Sequence, residues 1–211
     1  MSAPLRYDAK IRRSRDVARL IGVDEAGRGP WAGPVVTAAV LLGPEVPEAL
    51  APARDSKLLT PAKREALYEA IGAQAKVAVA WAHPCEIEQT NILRACLAAM
   101  GRAVRRLGSP EATLVLVDGN RTIPRLGQPQ LTIVGGDRLS LAIACASIVA
   151  KVVRDRWMAC LDRRYPGYGL AIHKGYGTEA HSEALWTLGP CPAHRRSYIP
   201  VAEYQAALDN A

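Results

Sequence analysis

The chain has 211 residues, 49% apolar and 22% charged, with 17 Gly and 15 Pro dispersed along it. That is enough to bury the core of one globular domain with an appendage, and it excludes a disordered tail or a low-complexity polymer. The net charge is +7, of which residues 1–20 supply +4 through Arg6, Lys10, Arg12, Arg13, Arg15 and Arg19 against Asp8 and Asp16, so any polyanion site on the remaining body is local.

The basic segment 1–17 reads as an N-terminal extension with freedom to be flexible, and it has no apolar stretch of the secretory kind. Residues 18 to 24 and 34 to 42 are apolar, β-branched runs parted by the glycine-rich stretch EAGRGPWAG, which predicts strand, loop, strand. Thr60-Pro61 supplies a capping hydroxyl and a first-turn proline for a helix. Residues 76 to 82 read as a third strand, and 86 to 107 as one long amphipathic helix. TLVLV (113–117) and QLTIV (130–134) read as buried strands ending at Asp118-Gly119 and Gly135-Gly136-Asp137. An Ala-rich, proline-free segment from Arg138 to Arg164 reads as a single helix, and YPGYG ends it. Thr178 to Leu188 is a short capped helix, with another in the last dozen residues. This alternation gives an α/β layer architecture.

The apolar run Leu141 to Ala150 falls well short of the roughly 20 residues a membrane span needs, so no membrane partner is expected. Five cysteines without a Cys-x-x-Cys, mostly among Ala, Leu and Val, read as reduced core thiols, and with no secretory stretch the cytoplasm is the expected location. Histidines without a His-x-x-x-His pair do not fit zinc.

Four carboxylates stand apart. Between Ala112 and Arg154 the only acids are Asp118 and Asp137, each closing an apolar run beside glycine, and Asp24-Glu25 closes the first strand. Taken singly, Asp118-Gly119 is a turn and Asp137 a helix cap. Two adjacent acids at a strand terminus repel unless a cation lies between them, however, and ligands of α/β sheets gather at strand ends. An oxygen-only set favours Mg²⁺ or Mn²⁺. Asp55 and Asp155 are rival ligands, and the spacing of Asp155 from Lys151 fits a helical ion pair instead.

Val23-Asp24-Glu25-Ala26-Gly27-Arg28-Gly29-Pro30, Gly33-Pro34-Val35-Val36, Asp55-Ser56-Lys57-Leu58, Asn91-Ile92-Leu93, Val117-Asp118-Gly119-Asn120, Gly136-Asp137, Ala146-Ser147-Ile148-Val149-Ala150-Lys151-Val152 with Arg154-Asp155, and His173-Lys174-Gly175-Tyr176-x-Thr178 follow one another in an order that resembles the ribonuclease HII family. The resemblance runs from Ile21 to about Arg196. It implies a ribonuclease H-like fold, a mixed five-stranded sheet flanked by helices. The catalytic domain would span 18–164, and a small helical substrate-binding extension 165–211. It also implies that Asp24, Glu25, Asp118 and Asp137 are catalytic and hold Mg²⁺ or Mn²⁺ in a two-metal mechanism. The implied activity is hydrolysis of the RNA strand of RNA/DNA hybrids and cleavage 5′ of ribonucleotides embedded in duplex DNA, leaving 3′-hydroxyl and 5′-phosphate ends, by a monomer.

The same resemblance assigns Gly27, Arg28 and Gly29 to the 2′-hydroxyl, Tyr176 to stacking at an RNA–DNA junction, and Ser56 and Lys57 to phosphate. Lys174, with Arg195 and Arg196, would extend a backbone-binding track, and His173 is either a substrate group or structural. Gly135 and Ala144 stand where the family often has lysine and many members have serine. The competing class is a non-catalytic nucleic-acid-binding protein of the same fold, whose signature would be loss of an acid; all four are present. A junction resolvase shares the carboxylates but not the Gly-Arg-Gly and tyrosine blocks.

Overall fold

A computed structural model describes residues 2–53, 56–108 and 112–209. In chain order the elements are α1 (Ala3–Arg15), β1 (Arg19–Ala26), β2 (Val35–Leu42), α2 (Pro61–Gln74), β3 (Lys76–Ala82), α3 (Pro84–Gln89), α4 (Ile92–Leu107), β4 (Thr113–Asp118), β5 (Gln130–Ile133), α5 (Gly136–Leu139), α6 (Leu141–Arg164), α7 (Leu170–His173), α8 (Glu179–Leu188) and α9 (Ile199–Asp209). The strands form one sheet in the order β3-β2-β1-β4-β5. β1, β2 and β3 are joined antiparallel, whereas β4 and β5 run parallel to β1.

Both faces of the sheet are covered, and the period-two alternation of strand side chains divides the core accordingly. Leu20, Leu114 and Leu116 face the layer that contains α6, while Ile21, Val23, Val115 and Val117 face α4. Gly22 stands between Leu20 and Asp24 on the α6 side, and a Cβ there would lie 2.0 Å from the carbonyl carbon of Ala142. Only glycine admits so close an approach of strand and helix. A third cluster, around Met158, Tyr168, Leu170, Leu185 and Val201, ties α7, α8 and α9 to the end of α6.

Two predicted helices are interrupted, each by a capping side chain. The 86–107 helix is two, since the Asn91 side chain accepts from Arg94 N and starts α4 afresh. The 138–164 helix breaks at Ser140, whose hydroxyl accepts from Ile143 N and caps α6. Local side-chain to backbone bonds outweigh helix propensity at both points.

The basic N-terminal segment, given no element from sequence, contains α1. Its Asp8 is buried and accepts from Ala142 N, 3.0 Å away, at the first turn of α6. Among the described residues, no helix is long and apolar enough to cross a membrane.

Candidate active site

The register of β1 and β4 brings the first acids together. Val23 pairs with Val117, so Asp24 and Asp118 follow as neighbours on adjacent parallel strands, and both have the parity of the α6 face. Glu25 has the opposite parity and leans toward the α4 side. Asp137 lies in the first turn of α5, and that turn is tied back to β4 because Gly136 N donates to Asp118 Oδ1 at 2.7 Å.

All four acids line one cavity of about 340 Å³, together with Gly27, Arg28, Gly29, Ser56, Ser147, Lys151, Arg154 and Tyr176. Asp24 is 6% exposed. Burial, then the charges of Glu25 and Asp118, push its carboxyl well above the ordinary carboxylate range, against the opposing hydrogen bond from Glu25 N. Three mutually repelling carboxylates at the rim of a cavity with no lining histidine or cysteine fit a hard divalent cation. Among the described residues, no three such side chains already close on one point.

Of the other residues singled out in the sequence, Ser56 is buried at the cavity and accepts from the Ser147 hydroxyl at 3.0 Å. Lys57 belongs to a short 3-10 turn, Ser56–Leu58, with its side chain outside the described set, and Asp55 lies outside the described residues altogether. The Tyr176 ring flanks the glycine loop, where a Cβ on Gly29 would come within 3.8 Å of Tyr176 Cε1. Lys174 does not line this cavity. Its Nζ donates to Ala171 O at 2.7 Å, and its carbonyl accepts from Arg154.

Arg195 is fully buried, so it offers no charge to a surface track. Asp155 is engaged by Lys151 at 2.8 Å, as the helical spacing predicts. In the sequence Lys151 has a role only as the ion-pair partner of Asp155, and Ser147 and Arg154 have none, although the three form a polar stripe at helical spacing along the otherwise apolar stretch 141–154 of α6. That stripe was the available signal.

Beneath Tyr176 lies a cluster of three histidines, two of them linked by a hydrogen bond. Cys191 N donates to His194 Nδ1, so the proton of His194 is on Nε2 and points at His181 Nε2, 3.0 Å away. The His181 proton is then on Nδ1 and is donated to the Tyr176 carbonyl at 2.9 Å. His173 stacks on His181 with ring centres 4.4 Å apart, bonded to Tyr168 O and Gly175 N. Both of its ring nitrogens are thus taken up by the backbone.

Burial lowers both His181 and His194 from 6.5 to about 4. The folded state therefore disfavours protonation, and the stability it contributes is complete above pH 6.5 and is lost as pH falls from 6.5 toward 4. Unfolding at pH 5 should take up about two protons from this source. Calorimetric melts across pH 4–7 should show a slope that His194→Gln reduces; an unchanged slope would refute the assignment.

The sheet order, the helices on both faces and the acid-lined strand ends define the class: a hydrolase on the ribonuclease H-like fold. The chain matches the ribonuclease HII family profile over residues 21–201. It is 51% identical to ribonuclease HII of Maricaulis maris across 92% of this chain and 87% of that one. Among solved structures it is similar to ribonuclease H2 of Pyrococcus horikoshii OT3, with a TM-score of 0.76 and 25% identity over 92% of this chain and all of that chain. It shares its fold with Bst ribonuclease HIII, solved in complex with Mn²⁺, at a TM-score of 0.75 and 19% identity over 92% of this chain and 71% of that one. The chain belongs to the ribonuclease HII family, endonucleases of the ribonuclease H class.

Proposed function

We propose that this protein hydrolyses the RNA strand of RNA/DNA hybrids and cuts duplex DNA on the 5′ side of an embedded ribonucleotide, leaving 3′-hydroxyl and 5′-phosphate ends, in the removal of ribonucleotides from DNA. The observation that carries this reading is that the acids and the Gly27-Arg28-Gly29 loop share one cavity, so the groups for phosphodiester chemistry and a backbone able to approach a ribose face the same point.

Asp24, Glu25, Asp118 and Asp137 would hold Mg²⁺ or Mn²⁺. Two such ions, when bound, stabilise the attacking and leaving oxygens of an in-line displacement. Asp24 and Asp118 present oxygens on one face, and the bond from Gly136 N fixes the Asp118 carboxylate against rotation. Lys151 supplies a cation at the cavity wall to offset phosphate charge while anchored to Asp155. Tyr176, half exposed beside Gly29, offers a ring face to the sugar that follows the scissile bond. Ser56 and Lys57 stand on the turn where the flanking phosphate would pass. Cys96, Cys145 and Cys191 are core thiols as the sequence predicts, whereas Cys85 and Cys160 are exposed; all five are free, which accords with a reducing cytoplasm, where the protein would act as a monomer.

The test is metal removal on an end-labelled RNA/DNA hybrid. Cleavage should stop in chelator and return on adding Mg²⁺ or Mn²⁺. Undiminished cleavage in chelator, or none with either ion, would contradict the reading.

A further inference from the structure

We propose that Arg195 and Tyr198 are positioning residues for ribose recognition: they turn the carbonyls of Gly27 and Arg28 away from the cavity and thereby aim the N–H groups of Arg28 and Gly29 into it. The inference rests on the reading of the glycine loop given under the proposed function.

Arg195 is 0% exposed, and among the described residues no carboxylate forms an ion pair with it. A buried guanidinium is costly unless each donor finds an acceptor. The acceptors here are backbone carbonyls of the loop that follows β1. Arg195 Nε donates to Gly33 O at 3.0 Å, Nη1 to Arg28 O at 2.7 Å, and Nη2 to Gly27 O. The Tyr198 hydroxyl donates to Arg28 O at 2.7 Å while accepting from Arg195 Nη1 at 3.1 Å. The clamp is itself held in place, since Arg195 N donates to Trp31 O and Tyr198 N to Arg195 O.

Peptide geometry turns this clamp into a statement about the cavity. In a trans peptide the C=O and the following N–H point in opposite directions, and the chain has no cis peptide among the described residues. Fixing Gly27 O on Arg195 therefore directs Arg28 N–H the other way, and fixing Arg28 O on Arg195 and Tyr198 does the same for Gly29 N–H. Neither N–H has a protein acceptor among the described residues. All three residues of the loop line the cavity.

Two successive donors held outward in this way have no acceptor in the protein, so a substrate can take them over from solvent. A 2′-hydroxyl oxygen beside the scissile bond is one such acceptor; a phosphate oxygen, present in DNA as well, is the other. The clamp favours the ribose because it fixes the direction of neutral donors and adds no charge of its own at the surface. A residue that served only to neutralise phosphate would present its guanidinium to the cavity.

The two acceptors are separated by binding, measured in Mg²⁺ by fluorescence anisotropy in an Asp118→Asn background to prevent cleavage. One duplex carries a single ribonucleotide, and the other is the same sequence entirely in DNA. Asp118→Asn alone should prefer the ribonucleotide duplex. Adding Tyr198→Phe, which removes one hydroxyl and keeps the packed ring, should lower that preference about fivefold, the worth of a weakened hydrogen bond, with all-DNA affinity unchanged. Arg195→Lys should lower it further.

A parallel loss of affinity for both duplexes would mean that the donors read phosphate, and an unchanged preference with a lowered melting temperature would mean a structural role; either overturns the inference. If Asp118→Asn alone shows no preference, the ribose reading of the loop fails, and the inference with it. Failure confined to the Tyr198→Phe comparison overturns the inference alone.

Discussion

Replacing Asp24 by Asn should make the metal-free protein more stable while reducing cleavage about a thousandfold. The carboxyl is buried between Glu25 and Asp118, and its proton is held well above the usual range by burial first and by those two charges second. A carboxyl whose folded pKa is raised contributes stability below its unfolded pKa, and that stability is lost as pH rises through the folded value. At neutral pH in chelator, Asp24 therefore weighs against the fold. Asn has the same shape and can still accept from Glu25 N, but it carries no charge.

The expected rise in melting temperature is about 3 °C or more, equivalent to about 1 kcal/mol in a chain of this length. Mg²⁺ should stabilise the wild type by mass action and leave Asp24→Asn nearly unmoved. Thermal melts with and without metal, beside a cleavage assay, check both halves. A variant less stable in chelator, or one that keeps its activity, would count against a charge-strained metal site.

The second large effect is at Gly27. Its φ is +95°, in the region that favours glycine, and a Cβ there would fall 1.8 Å from Arg154 Nε. Arg154 has no room to retreat, because its buried guanidinium donates to Pro34 O, Ala32 O and Lys174 O. Gly27→Ala must therefore either strain the loop or displace an arginine that fastens the loop to the Tyr176 segment. Backbone strain and overpacking each cost about 1–3 kcal/mol, so a fall in melting temperature of about 6 °C and a loss of cleavage of about a hundredfold or more are expected. Gly43→Ala, with open space around the site of its Cβ, is the control and should behave as wild type. Equal behaviour of the two variants would show that the loop tolerates displacement.

Much of this arrangement was legible in the sequence because it is written in local pattern. Five apolar runs gave the strands of the sheet, and isolated acids at the ends of three of them marked a cavity that the register of β1 and β4 then closes. The resemblance carried by the ordered motifs supplied the mixed five-stranded sheet, which no periodicity contains, and the strand order came only with the fold itself. What was not legible depends on partners distant in sequence or on single capping atoms. Ser140 and Asn91 split helices that composition would have left whole. Asp8 in a basic segment gave no hint of its bond to Ala142 N, 134 residues on. Arg195 read as a surface cation beside Arg196, and only folding turns it inward onto the carbonyls of residues 27, 28 and 33, more than 160 positions away. Nor does the sequence at Lys174 hint at the bond from its ammonium to Ala171 O.

Under the proposed function the acids and the glycine loop act at one bond, the phosphodiester on the 5′ side of a ribonucleotide. The most direct measurement is the length of the labelled product released from a DNA duplex carrying a single ribonucleotide, incubated with the wild-type protein in Mg²⁺ or Mn²⁺, alongside the all-DNA duplex and the Asp118→Asn variant. A single product ending immediately 5′ of the ribonucleotide, absent from the all-DNA duplex and from Asp118→Asn, is the predicted result. Cutting of the all-DNA duplex, a cut on the 3′ side, or full activity in Asp118→Asn would contradict it.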